Sequence, residues 1–237
     1  MKFWNLTQSP DAAEDGELEI SGEIVAEPSW FFGPENECVA SDLIAELKKY
    51  RNVTVRINSP GGDVMAGAAI YTALMEHPGN VTVIVTALAA SAASVIAMAG
   101  SEVIMSPTAY MMIHNPWTMA VGDARELRKT ARVMDEIAEG LINAYQIKTG
   151  KSRDELKRLL DNETWMSAAS CVEQGFADRI LGDGSAEAVL MSAKAHGAQE
   201  IAARVRETPA KVPAAEEAAR RAEIGRRAAV LAGCYKS

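Results

Sequence analysis

The chain has 237 residues, 48% of them apolar, and a formal net charge of −8; it can bury a sizeable core, and its charge argues against nucleic acid as the main partner, because phosphate binding needs clustered Lys and Arg. Cys38, Cys171 and Cys234 are too few and too scattered for a disulfide framework or a metal cluster, which suits a reducing cytoplasm. The opening Met1-Lys2-Phe3-Trp4-Asn5 lacks the apolar core of a signal peptide, and no uninterrupted apolar run reaches the roughly 18–20 residues of a membrane span, so no membrane partner is expected.

Residues 1–16 read as an irregular, flexible N-terminus, and Glu17 to Ile24 alternate like an opening strand. Trp30-Phe31-Phe32-Gly33-Pro34 is an aromatic loop, either a contact surface for peptide or subunit or a local core plug. Cys38 to Tyr50 has helical spacing through Val39, Leu43, Ile44 and Leu47. The pattern then predicts a strand over Val53 to Ile57, a helix over Val64 to Glu76, a strand over Val81 to Ala87 and a helix over Ser91 to Met98. Short strands follow at Glu102 to Met105 and Tyr110 to His114. Strands alternating with helices imply right-handed crossovers and an α/β core.

Gly122 and Asp123 introduce a long amphipathic helix whose stripe is Leu127, Ala131, Met134, Ala138, Leu141 and Tyr145. The stripe faces either another subunit or the helix's own domain. Ser152 and Glu155 form a capping box for a helix carrying Leu156, Leu159 and Leu160, and Thr164 to Leu181 completes a domain over 17–184. Residues 185–237 are rich in alanine and alternating charge, with Pro209 and Pro213, and read as a partly helical or disordered tail in which Ala214 to Leu231 can form a helix.

Three segments carry chemistry. In Leu88-Ala89-Ala90-Ser91-Ala92-Ala93-Ser94 a serine stands at a strand-to-helix junction among alanines, which serve either close helix–sheet packing or close approach of a substrate carbonyl. Of the three histidines, His77 precedes a Pro-Gly turn and His196 lies in the polar tail; only His114 ends an apolar strand. It is a structural histidine or, as the one credible candidate, a general base. Asn58-Ser59-Pro60-Gly61-Gly62-Asp63 joins a strand to a helix, where adjacent glycines make either a tight turn or a cradle of backbone N–H groups for an oxyanion.

Asn58 to Gly62, Ala89 to Ser94, Met112-Ile113-His114-Asn115-Pro116, and Trp165-Met166-Ser167 followed by Glu173-Gln174-Gly175-Phe176-Ala177-Asp178 together resemble the ordered motifs of the Clp protease proteolytic subunit, most similarly the ClpP-related head maturation proteases of tailed phages. The resemblance spans roughly residues 17–184. It implies an α/β, ClpP/crotonase-like fold of repeated ββα units with a projecting handle helix. Ser91 matches the family's nucleophile, His114 its base, and Gly62 and Ala92 the positions whose amides form the oxyanion hole. Where the family places an aspartate, two residues before the aromatic of the Trp165 motif, this chain has Glu163, with Asp161 as the fallback; solvated helix-end charges are the other reading of both. An acid there orients the imidazole.

The resemblance thus implies a serine endopeptidase needing no metal or other cofactor, acting on polypeptides, capsid or scaffold proteins if it serves a phage, in the host cytoplasm or an assembling procapsid. It also implies a homo-oligomeric ring, heptameric or stacked as a double ring. The tail then guides the protease into the shell as a scaffold-type extension, or is a solvated appendage. The chain has no phosphate loop ending in Gly-Lys-Ser or Gly-Lys-Thr, so ATP-driven unfolding would need a separate protein. Two other classes share the scaffold: a crotonase-like acyl-CoA enzyme, whose proton steps typically use carboxylates, and a non-catalytic ring-forming assembly factor.

Overall fold

In the computed structural model, which describes residues 7–8, 15–27 and 37–182, four strands run parallel in the order β2 (Asp15–Val25), β4 (Asn52–Gly62), β5 (Val81–Ala90) and β6 (Glu102–Met105). β1 (Thr7–Gln8) adds antiparallel to β2 at one edge, and β9 (Arg179–Ile180) adds parallel to β6 at the other. Helices α1 (Ala40–Leu47), α2 (Val64–Met75) and α3 (Ala92–Ala97) make the crossovers between successive parallel strands. The alternating valines Val53, Val55, Val81, Val83 and Val85 are buried, and they join Leu43 and Leu47 of α1, Ile70 and Leu74 of α2 and Ile96 of α3 in one core cluster. The residues between them on the other face, such as Thr54, Arg56 and Thr82, are only partly buried, so one face carries the core, and β-branched residues suit that pleated surface. The α/β architecture read from the sequence is the one observed.

Several boundaries differ from the periodicity, the larger ones because of pairing that a local pattern does not encode: β2 starts at Asp15 rather than Glu17, with Asp15 and Gly16 paired to β4, and β1 also falls within the segment 1–16 read as irregular. Glu37–Val39 forms β3, parallel to the end of β2, so α1 starts at Ala40 rather than Cys38. β4 does not turn at Asn58; after a bulge it stays extended to Gly62, paired with Ile24. β5 continues to Ala90 because Leu88–Ala90 pairs with β7 (Tyr110–Ile113), whereas Thr82–Val85 pairs with β6. β5 is therefore a fork. β7 in turn pairs antiparallel with β8 (Thr164–Ser167).

α4 (Ala124–Thr149) is capped by Asp123, whose Oδ1 accepts from Arg125 and Glu126 N–H, and it ends at Gly150 in the left-handed conformation. At 26 residues it is about 39 Å long. Its stripe splits in two. Tyr145 packs into the chain's own core and Leu141 against it, as do Ile142 and Ala144 beside the stripe, while Leu127 in the first half is exposed, as is Val133 beside it. The projecting helix is thus docked at one end only. α5 (Arg153–Asp161) starts at Ser152, whose Oγ accepts from Glu155 N–H, and is tied to α4 by Arg153 and Lys157, which both pair with Glu139. α6 (Ala168–Glu173) closes the domain. Among the described residues no helix is long and apolar enough to cross a membrane. The aromatic loop Trp30 to Pro34 and the tail 185–237 lie outside the described residues, as does most of the segment 1–16.

Candidate active site

The fork in β5 builds the site. Because Ala90 is in register with Met112 of the parallel strand β7, Ser91, one residue beyond that pair, and His114, two residues beyond it, emerge at the same end of neighbouring strands. His114 Nε2 lies 2.8 Å from Ser91 Oγ, a full hydrogen bond between residues 23 positions apart. Ser91 has φ 52° and ψ −124°, one of two non-glycine residues with positive φ among those described. That conformation costs an L-residue of order 1–3 kcal/mol, and its effect is to carry the side chain off the strand and out over the cleft. Clamps at both ends hold it: Ser91 N–H donates to Met112 O at 2.9 Å, and Ser91 C=O accepts from Ser94 N–H at 3.0 Å. Although Ser91 occupies the N-cap of α3, its side chain makes no capping bond. The hydroxyl that would ordinarily satisfy a first-turn amide goes to the imidazole instead.

The glycine pair stands against this turn. A Cβ on Gly61 would lie 2.7 Å from Ser91 Cβ and 3.0 Å from Ala92 N, and one on Gly62 would lie 2.1 Å from Ile24 O. Both have positive φ, 97° and 148°. Only glycine lets β4 run this close to β2 on one side and to the serine turn on the other. Ser59, 1% exposed, fixes the approach: its Oγ donates to Gly22 O at 2.6 Å and accepts from Gly61 N–H at 3.1 Å. Asp63 caps α2 by accepting from Ala66 N–H, and its own N–H donates to Ile24 O.

These residues open into a cleft of about 650 Å³ whose walls include Gly61, Gly62, Ala92, Met112, Trp117, Ile137, Leu141 and Tyr145. The walls are mostly apolar. Glu23, level with Gly61 in the β2–β4 register, also reaches the cleft. Nothing in its local sequence points to that place, which depends on register between distant strands.

The two acids part company. The antiparallel β7–β8 ladder ends at Ile113 and Thr164, and His114 and Glu163 are the next residues beyond that pair on the two strands. Glu163 is the second non-glycine residue with positive φ, 45°, at the turn that ends α5. Its Oε1 accepts from Trp165 Nε1 at 3.3 Å, while Asp161 Oδ1 accepts from Asn115 Nδ2 at 2.7 Å. Neither carboxylate is hydrogen-bonded to His114 here. Of the nominated residues, the structure therefore brings Ser91, His114, Gly62 and Ala92 into one cleft; neither acid is among the residues that line it, and Asp161 lines a separate pocket with Asn115 and Lys157.

Ser94 and Tyr145 were not legible as site residues. Ser94 Oγ donates to Ser91 O at 2.5 Å and lies 2.8 Å from Tyr145 Oη, so two fully buried hydroxyls stand behind the serine turn. A polar residue within a run of core alanines was the one available signal.

Known proteins place the chain. A family model described as Clp protease matches residues 31–184. An ATP-dependent Clp protease proteolytic subunit of Bacteroides fragilis is 30% identical over 174 residues, covering 70% of this chain and 84% of that protein. Subunit 1 from Chlamydia muridarum is 37% identical over 162 residues, covering 64% and 84%. Among solved structures, a ClpP1 mutant from Listeria monocytogenes superposes with a TM-score of 0.59 at 24% identity, over 69% of this chain and 90% of that one, which speaks to the fold.

Proposed function

This chain belongs to the Clp protease family, a family of serine-type peptidases, and we propose that Ser91, His114 and Glu163 form its catalytic triad, with the amides of Gly62 and Ala92 as its oxyanion hole. The observation that carries the reading is the 2.8 Å contact between His114 Nε2 and Ser91 Oγ at the mouth of an apolar cleft. Ser91 Oγ attacks the scissile carbonyl carbon as its proton passes to His114 Nε2. The carbonyl oxygen becomes an oxyanion held by the two amides. Gly61 N–H is committed to Ser59 and Asp63 N–H to Ile24, so Gly62 N–H is the amide of this turn assigned to the hole; each such donor is worth about 2.7–4 kcal/mol in the barrier. Collapse breaks the C–N bond, and the departing amine takes the proton from His114. Water then attacks the acyl-ester, gives its proton to His114, and releases the acid and free Ser91.

Glu163 is preferred over Asp161 because it directly precedes Thr164, the residue paired with Ile113, where His114 directly follows. Release of its carboxylate from Trp165 frees it to accept the Nδ1 proton, which fixes the ring tautomer and stabilises the imidazolium. The assembly proposed is a homo-oligomeric ring, supported by the exposed Leu127 and Val133 in the otherwise charged first half of α4. The motif resemblance further supports capsid or scaffold polypeptides as substrates during phage head maturation, in the host cytoplasm or the assembling procapsid.

A fluorophosphonate probe tests the chemistry. It labels Ser91 in the wild type and fails to label Ser91→Ala or His114→Ala; labelling that persists in Ser91→Ala overturns the assignment. Glu163→Gln lowers peptide turnover by about 10²- to 10⁴-fold, while Asp161→Asn stays near wild type; the reverse order moves the acid to Asp161. Fragment identification by mass spectrometry after co-expression with capsid and scaffold proteins tests the substrate class, and intact capsid proteins sink it.

A further inference from the structure

We infer that Ser94 and Tyr145 are positioning residues of the peptidase, a buried pair of hydroxyls that holds the Ser91 carbonyl and thereby aims the Ala92 N–H at the reacting carbonyl. The inference rests on the roles proposed for Ser91 and Ala92.

A carbonyl oxygen only accepts, so the 2.5 Å contact from Ser94 Oγ to Ser91 O uses the single hydroxyl proton of Ser94. Tyr145 Oη, 2.8 Å from Ser94 Oγ, must then be the donor of that second bond. The result is a one-way relay: Tyr145 O–H to Ser94 Oγ, Ser94 O–H to Ser91 O=C. Both side chains are buried, Ser94 at 0% and Tyr145 at 1% exposure. Burial also pushes the Tyr145 phenol well above its ordinary range, which keeps it a donor throughout the working pH of a protein.

The peptide unit makes this matter. Ser91 C=O and Ala92 N–H belong to one planar trans peptide and point in opposite directions. Whatever fixes the carbonyl fixes the amide. In an ordinary helix start the first-turn carbonyl would be held by backbone amides alone, and Ser94 N–H does reach Ser91 O at 3.0 Å. The Ser94 hydroxyl adds a second, shorter bond, and Tyr145 polarises it. That addition sits beneath a residue whose strained backbone has an incentive to relax.

Tyr145 is itself well anchored. Its ring meets Phe176 edge-on at 5.9 Å, and its carbonyl accepts from Thr149 Oγ1 at 2.7 Å, both at the docked end of α4. The docked end of the projecting helix therefore reaches, through Ser94, the carbonyl of the same peptide unit that carries the Ala92 amide.

The test measures peptide turnover by full-length Tyr145→Phe and Ser94→Ala, each normalised to active sites titrated with a fluorophosphonate, beside the affinity of a peptide aldehyde that forms a tetrahedral adduct with Ser91. An interaction felt only when the oxyanion forms lowers kcat and aldehyde affinity together, by about five- to tenfold, and leaves KM unchanged. The double variant then loses little more than either single one, because one relay is broken. Unchanged kcat per titrated site in the two single variants, with only a lower melting temperature, overturns the inference and reduces the pair to core structure. Labelling at Ser91 in that case leaves the triad standing, whereas labelling elsewhere removes both. Should Tyr145→Phe fold poorly, Ser94→Ala, which removes one small hydroxyl, decides by the same readouts.

Discussion

Two neighbouring junctions solve the same topological problem differently. β4 passes into α2 and β5 passes into α3 at the same end of adjacent parallel strands, and both need positive φ to make the change of direction. The first junction uses Gly61 and Gly62, for which that backbone costs nothing sterically; the second uses Ser91, for which it does. Glycine would serve the second turn better as architecture. A serine kept there against its own backbone preference marks the place where a side chain, rather than a bend, is needed, and the glycines of the first junction exist to let that side chain be approached.

Replacing the side chain while keeping the strain breaks the comparison most severely. Ser91→Ala loses about 10³-fold or more in peptide turnover, read by a fluorogenic assay, with the fold retained by circular dichroism. Next, a methyl on Gly61 makes the two junctions collide, since it would stand 2.7 Å from both Ala90 O and Ser91 Cβ. Gly61→Ala therefore costs more than about 2 kcal/mol in a denaturant titration and abolishes probe labelling in whatever remains folded. A subtler comparison isolates the strain itself. Ser91→Gly is more stable than Ser91→Ala by about 1 kcal/mol, because relief at φ 52° outweighs the added entropy of an unfolded glycine; a less stable glycine variant would show that the turn is not strained. The smallest effect concerns the thiols. Burial pushes Cys38 and Cys171 up to about 12, so iodoacetamide at neutral pH leaves both unmodified and turnover intact. Loss of activity on alkylation of either would bring a second nucleophile into the account.

Much of this was written locally. The valine alternation, the Asp123 and Ser152 caps and the glycine pair each sit within a few residues of the structure they determine, so strands, helices and the Ser91 and His114 candidates follow from short stretches of chain. What did not follow depends on register. β3 and the far ends of β4 and β5 exist because a distant strand offers a ladder there. The bonds of Glu163 to Trp165 and of Asp161 to Asn115, the reach of Glu23 into the cleft, and the meeting of Ser94 with Tyr145 across 51 positions likewise arise from folding. The stripe on α4 could be read, but not that its two halves have different fates, because periodicity reports an apolar face and not how much of it finds cover in the same chain.

The forked strand has a thermodynamic corollary. Its lower part is zipped into the broad parallel trunk on both sides, whereas Leu88–Ala90 keeps β4 on one side only through Ala89 and Ser59 and has on the other β7, backed by β8, strands of only four residues each. Cooperative units of a protein open at free energies set by such local support, so the branch that presents the imidazole can fray and reclose while the trunk stays protected from hydrogen exchange. Amides in 110–113 then exchange faster than those in 82–85. The enzyme would be silenced by melting a hairpin-sized piece of itself, far short of unfolding.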